Sequence, residues 1–299
     1  MSSISANQRG ILAVCGSMAT YTVNDAMVKE IAQVYPVGEV IFIRGVFTTI
    51  LIGAVVLALG HARELRLAAS KPVMARSLFD GLSTACFVLA LVHMKLADLA
   101  AVLQVSPLIL TALSVVFYRE AVGWRRWTAI AVGFAGALFV VKPTTAAFDF
   151  WALIAMLAAF SSALRETQTR RIERNVPTIV IALMGSLAII IVGALFAPTE
   201  QWRVMPLRDV ALLAAAAVFV GMATYLMTLA FRSVDLSVVA PFRYSYLLTS
   251  ALAGYLVFNE LPDGCSAFGA LLIMGSGLYA LHREAVRRRD LTAKTTPAL

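Results

Sequence analysis

The chain has 299 residues, 60% of them hydrophobic, with a mean hydropathy of +0.83 and only 14% charged. Soluble domains carry about a quarter charged residues, so this composition excludes an ordinary water-soluble globule and points to a bilayer as solvent. The formal net charge of +8 reads as an orientation signal rather than a nucleic-acid footprint, because no Lys/Arg run is interleaved with exposed aromatics.

The first apolar segment runs from about Gly10 to Met27. It is too long for a signal-peptide core, and no A-x-A-like cleavage site ends it, so it reads as a retained membrane helix. Ten stretches of about 20 mostly apolar residues, the length that crosses a bilayer, can be laid down in all. They cover 10–29, 37–59, 72–93, 97–118, 124–142, 148–168, 177–197, 207–231, 235–258 and 264–282. The predicted fold class is therefore an all-α integral membrane protein with ten transmembrane helices. Connections are short, and the largest pieces outside the membrane are the Leu59–Lys71 linker and the tail after His282.

Lysine and arginine are unevenly shared between the two sides. With an even span count, one side holds 18 of them and the other only Lys29, Lys95, Lys142, Arg203 and Arg208. The positive-inside rule then places both termini in the cytoplasm. Arg44 and Arg243 fall inside helices and belong to neither side.

The chain also repeats. "LADLAAVLQVSPLILTALSVVFYRE" ends at Glu120 and "VDLSVVAPFRYSYLLTSALAGYLVFNE" at Glu260. Both open on an Asp near a helix start (Asp98, Asp235), and each precedes a Gly-rich apolar helix. Asn24-Asp25 with Lys29 parallels Arg165-Glu166 with Arg170, and Pro36 parallels Pro177, all at an offset near 140. The expected organisation is a first five-helix repeat over 1–143, a second over 144–284, and a basic cytoplasmic tail over 285–299. A repeat with an odd number of spans enters from opposite sides, so the halves are inverted, a plan recurrent among secondary transporters.

These features together resemble the drug/metabolite transporter superfamily, in its EamA branch. The residues that carry the resemblance are the two Glu helix ends with their Gly-rich followers, "RRWTAIAVGFAGALFVVKP" at 125–143, "APFRY" at 240–244, and "GEVIFIRGVF" at 38–47. It covers essentially the whole chain. One departure is that the first half carries Pro107 in mid-helix where the second has Leu247, its proline standing at 241. The resemblance implies alternating access at a bacterial-type inner membrane for a small metabolite. Within the branch, the compact form with "APFRY" looks most like the riboflavin-uptake members, with amino-acid and S-adenosylmethionine carriers as alternatives.

An ionisable group inside a spanning helix costs at least ~2.5–3.5 kcal/mol on insertion scales and is a functional candidate by default. Arg44 and Arg243 each lie roughly 10–12 Å from a helix end at 1.5 Å per residue. Helical spacing gives them company: Arg243, Tyr246, Ser250 and Gly254 on one face of the ninth helix, Tyr21, Asn24 and Asp25 on the first, Gln104, Pro107 and Thr111 on the fourth. Thr224, Tyr225 and Thr228 form a stripe on the eighth, and Arg76, Asp80, Ser83 and Thr84 one on the third. Pooled around a central cavity, the expected substrate-binding residues are Arg243, Arg44, Tyr244, Tyr246, Gln104, Tyr21, Asn24 and Tyr225. A proton, if one is coupled, would ride on Glu39, Asp25 or Glu166, with Glu39 first because it is near Arg44.

Plainer readings stand beside these. A Ser or Thr in a membrane helix often bonds only to its own backbone. Arg76–Asp80 at i, i+4 reads as a structural ion pair, as does Lys29 with Asp25. Glu120 and Glu260 sit at helix ends and serve turns. Gly133, Gly136, Gly269, Gly275 and Gly277 read as helix packing or a homodimer contact. Cys15, Cys86 and Cys265 lie far apart and read as small buried hydrophobes.

No metal-ligand spacing, cofactor motif or Walker loop is present, so no metal or cofactor is expected and ATP is not the fuel of this chain. HExxH and GxSxG are absent, which leaves an intramembrane enzyme as a remote alternative. A passive channel would need a charged ring or carbonyl filter, and neither recurs. The expected partners are the lipid bilayer and a small molecule with an aromatic ring and polar or anionic groups, since tyrosines stack and arginines bind carboxylates or carbonyls.

Overall fold

The computed structural model describes residues 6–118, 124–142, 150–173, 175–233 and 239–295, and all regular structure among them is helical. Eleven α-helices follow in order: α1 (Ala6–Ala32), α2 (Val37–Ala58), α3 (Lys71–His93), α4 (Leu96–Leu103), α5 (Ser106–Tyr118), α6 (Trp124–Val141), α7 (Phe150–Thr169), α8 (Thr178–Phe196), α9 (Leu207–Ser233), α10 (Ser245–Phe258) and α11 (Gly264–Thr295). Short 3-10 segments span Arg63–Ala69 and Ala240–Tyr244. Seven described stretches are long and apolar enough to cross a membrane, and Trp127–Val141 is a shorter apolar helix.

The expectation of ten continuous helices needs correcting. The fourth apolar stretch is two helices, α4 and α5, separated at Gln104–Val105. Proline supplies the reason. Pro107 has no N–H, so it cannot bond back to the Leu103 carbonyl, and its ring crowds that turn. The chain therefore closes Gln104 and Val105 with tight bonds to Ala101 and Val102. In the ninth stretch Pro241 stands in the first turn of the 3-10 segment, and regular helix begins only at Ser245. The last helix also differs. It continues through the basic tail to Thr295 instead of ending near His282.

Packing follows the repeat. α1 lies against α9 and α3 against α7, while α2 pairs with α8 and α6 with α11. Exchanging the two copies turns the first pair into the second and leaves the last two pairs unchanged. Individual hydrogen bonds obey the same exchange. Ser17 Oγ donates to the Ala223 carbonyl at 2.7 Å, and Ser83 Oγ donates to the Ala158 carbonyl at 3.0 Å. Ser17 and Ala158 are counterparts at the repeat offset, as are Ser83 and Ala223. Pro36 and Pro177 likewise cap α2 and α8 at matching positions. The expected boundary at 143/144, and Glu120, Asp235 and Arg174, lie outside the described residues.

The interior is built from small residues. α7 buries Ala152, Ala155, Ala158, Ala159 and Ala163, so its neighbours approach closely, as helices do in lipid where close packing replaces the hydrophobic effect. Large apolar side chains such as Ile50, Leu57, Ile191, Leu195 and Leu248 point outward. Of the cysteines only Cys86 is buried; Cys15 is half-buried, and Cys265, on the first turn of α11, is exposed.

At the α6–α11 crossing two glycines meet backbone to backbone. A Cβ on Gly269 would meet the Gly136 carbonyl oxygen at 2.5 Å, and one on Gly136 would meet the Gly269 oxygen at 2.8 Å. These glycines thus serve packing within one chain. Gly269→Val is expected to push the helices apart and cost about 1–3 kcal/mol, the usual range for overpacking. The check is thermal unfolding of the detergent-solubilised protein. Gly264→Ala, which enters open space, should leave the midpoint unchanged.

Candidate functional site

Both broken stretches meet in the interior. Gln104 ends α4, and its Nε2 donates to the backbone carbonyl of Arg243 at 3.3 Å. The two interruptions therefore sit side by side, one from each copy. Discontinuous helices at matching positions of two repeats are the arrangement that frames substrate sites near the midplane of transporters.

Next to this crossing lies a buried polar cluster. On α1, Asn24 and Asp25 are buried; on α2, Arg44; on α10, Tyr246. Tyr246 donates its hydroxyl to Asp25 Oδ2 at 2.5 Å, and Asn24 Nδ2 donates to Asp25 Oδ1 at 2.9 Å. The other face of the Asn24 amide accepts from Arg44 Nη1 at 3.5 Å. One amide thus stands between an acid and a base. Thr22, on the same helix as Asp25, bonds to Thr249 at 2.7 Å and lies 3.4 Å from Ser250. Tyr21 reaches Thr224 on α9 at 3.1 Å. Residues of both copies therefore converge here. Asp25 stands seven residues from the end of α1, about 10 Å inside at the usual rise.

The remaining expected site residues lie outside this hydrogen-bonded cluster. Tyr244 is buried, but its ring tip presses on Gly277 of α11, and among the described residues its hydroxyl has no hydrogen-bond partner. Arg243 is half-buried on the 3-10 turn rather than on the α-helical face of Tyr246, Ser250 and Gly254. Among the described residues its guanidinium joins no ion pair. Tyr225 is separated from the cluster. It is 66% exposed and shares its stripe with the exposed Val218, Met222 and Leu229, so it lies on the outer apolar face of α9. Glu39 is buried but far from a role with Arg44. Its two oxygens accept the Arg203 backbone N–H at 3.1 and 3.3 Å. Glu166 lies near the end of α7 among the charges of Arg76 and Arg165.

Lys29 does not pair with Asp25. It is 1% exposed and donates to both carboxylate oxygens of Glu260, at 2.6 and 2.7 Å, and to the Met94 carbonyl at 2.8 Å. Glu260 also accepts the Leu96 N–H at 3.1 Å. The lysine tether is long enough to leave its own helix face and reach the chain reversals at the bundle end, where a full carboxylate meets it. Lys95 caps the Leu261 carbonyl at 2.7 Å, and Lys142 pairs with Asp263. At the opposite end Asp80 accepts from Arg165 at 2.8 Å and from Arg76 at 3.5 Å, so the expected Arg76–Asp80 pair is part of a triad.

A helical bundle of two copies, broken at matched places beside buried opposite charges, is a plan recurrent among polytopic membrane transporters. The sequence matches the EamA-like transporter family over residues 8–142 and again over 149–281, and the chain belongs to that family. It is 29% identical over 90% of its length to an S-adenosylmethionine uptake transporter of Rickettsia bellii, 91% of which is covered. It is 28% identical to the pseudopaline exporter of Pseudomonas aeruginosa, over 88% of this chain and 92% of that one. A riboflavin transporter of Rhizobium johnstonii is 30% identical over 72% of each chain. A solved crystal structure shares the fold, with a TM-score of 0.63 and 22% identity over 93% of this chain and 98% of that chain.

Two measurements test the end contacts. Lys29→Met leaves Glu260 without its buried partner, and breaking such a pair costs about 3–5 kcal/mol. The double variant Lys29→Met/Glu260→Gln should cost clearly less than the two single changes added, in a thermal-unfolding cycle. At the same end, the Lys142 ammonium and the Ser266 N–H hold the Asp263 carboxyl down to about 2. A folded pKa below the unfolded one stabilises at high pH and is lost as pH falls through the folded value. Asp263 should therefore contribute fully above about pH 4 and lose its contribution toward about pH 2. Asp263→Asn should flatten the acid limb of the stability profile.

Proposed function

We propose that this chain is a secondary transporter of a bacterial-type inner membrane that carries a small metabolite by alternating access between its two halves. The observation that carries the reading is the buried Asn24–Asp25–Arg44–Tyr246 cluster. It brings together costly polar groups of both copies beside the two helix interruptions, where neither lipid contact nor helix packing calls for them. The start of α1 and the far end of α11 lie at the end of the bundle opposite Lys29 and Glu260, the end to which the sequence assigns most of its lysines and arginines, which supports cytoplasmic termini.

Arg44, Asn24, Tyr246 and Tyr21 line the proposed site, with Gln104, Tyr244 and Arg243 at its broken-helix edge. For a coupled proton, Asp25 is the best placed of the three carboxylates. Glu39 is committed to a backbone N–H, and Glu166 belongs to the cluster around Arg165. The relatives named above carry S-adenosylmethionine, pseudopaline or riboflavin. The tyrosines favour a solute with an aromatic ring, and riboflavin and S-adenosylmethionine both have one.

Everted membrane vesicles and intact cells, loaded with labelled riboflavin or S-adenosylmethionine with and without a proton gradient, test the reading. Saturable flux is expected, and Arg243→Ala should lower it at least tenfold while membrane insertion is unchanged. Flux linear in concentration would point to a pore. Unchanged kinetics in Arg243→Ala would make Arg243 structural.

A further inference from the structure

The interior charges of this protein are not alike. Lys29 is matched by Glu260 and a carbonyl, Glu39 by a backbone N–H, and Asp80 by two arginines. Among the described residues Arg44 and Asp25 are the exceptions. Both are more than nine-tenths buried, and each exerts its charge on the other, yet no ion pair joins them. The Asn24 amide lies between, turning its N–H toward Asp25 and its oxygen toward Arg44.

Their hydrogen-bonding capacity is also unfilled. A guanidinium carries five N–H donors, and among the described residues the one hydrogen bond of the Arg44 side chain is the long 3.5 Å contact to Asn24. A carboxylate offers about four lone-pair sites. Asp25 uses one on Asn24 and one on Tyr246. A buried charge left in that condition is expensive, because low dielectric makes an unmatched charge costlier than in water. A structural pair would have closed directly, as Lys29 and Glu260 do. An acid and a base held one amide apart are instead complementary to a ligand that brings both opposite charges at short separation.

We infer that the transported solute presents an α-amino-acid-type zwitterion to this site, its ammonium group on Asp25 and its carboxylate on Arg44. The inference rests on the transporter reading and names the substrate class of that same site. A carboxylate matches a guanidinium with two parallel hydrogen bonds. An ammonium group has three donors and no acceptor, which suits the open lone pairs of Asp25 beside the Tyr246 hydroxyl. Because an α-amino acid carries its two charges on groups attached to one carbon, both can be met at once. Arg44 and Asp25 come from the first copy and Tyr246 from the second, so a ligand held by all three spans the halves. Riboflavin, uncharged at neutral pH, can offer Arg44 its ring carbonyls but brings no charge to match either group. A solute of the S-adenosylmethionine type would satisfy both groups and still offer a ring to the tyrosines.

The test uses the full-length protein in proteoliposomes with labelled S-adenosylmethionine, methionine and riboflavin as probes. Unlabelled methionine, methionine amide, which lacks the carboxylate, and the 2-hydroxy analogue, which lacks the amine, serve as competitors. The zwitterion should compete at least tenfold better than either analogue. In Arg44→Gln the penalty for losing the carboxylate should disappear, and in Asp25→Asn that for losing the amine. If either variant fails to insert, the wild-type competitor series decides alone. Saturable uptake of any probe with no discrimination between methionine and its analogues overturns the zwitterion and leaves the transporter standing. Riboflavin uptake untouched by methionine does the same. No saturable uptake of any probe overturns the transporter reading and this inference with it.

Discussion

A lysine with almost no exposure, bound to both oxygens of one glutamate, organises the end of this bundle. Lys29 and Glu260 come from opposite copies, and around them gather the Met94 carbonyl and the Leu96 N–H. Three chain reversals are thereby tied to one point: the end of α1, the α3–α4 connection and the end of α10. Helix ends carry unmatched carbonyls and N–H groups that water would normally satisfy. Here a side-chain ion pair does so, and the bundle end needs little solvent.

That closure lets the centre be irregular. α4 and α5 part at Gln104, and the matching stretch in the second copy winds as a 3-10 turn up to Tyr244. Each interruption frees backbone polar groups, which lipid would not tolerate. Because the two breaks lie side by side, the Gln104 side chain answers the Arg243 carbonyl, and the freed groups face protein. Asp25, Arg44 and Tyr246 are assembled beside them from three helices, two of the first copy and one of the second.

Much of the fold was legible because the bilayer demands long apolar stretches, and because the copies keep the same helix ends at an offset near 140. The helix breaks were passed over by a reading of apolar stretches, although Pro107 and Pro241 stand where regular helix fails. Side-chain partners were harder to read. Asn24, Asp25, Arg44 and Tyr246 could each be named from polarity within an apolar stretch, but the Tyr246–Asp25 contact joins residues 221 positions apart and depends on how α1 meets α10. Tyr225 was misplaced because α9 is Ala-rich on every side, so local spacing does not say which stripe faces in. Lys29 was matched to Asp25 by i, i+4 spacing, which ignores how far a lysine reaches past its helix end. Thr22, Thr249 and the Glu260 pairing carried no signal beyond ordinary polarity.

The exchangeable bonds of Ser17 and Ser83 bear on thermodynamics. If the two copies were identical, the inward-open and outward-open forms of the proposed carrier would be the same structure turned over, and each would be occupied half the time. Any bias between them must come from positions where the copies differ. The Arg44 position in α2, Pro107 against Leu247, and Gln104 against Tyr244 are such positions. A difference of about 1.4 kcal/mol at one of them shifts the ratio of the two forms tenfold. The resting orientation of the molecule is thus set by its departures from symmetry, while the shared residues supply the geometry through which it turns.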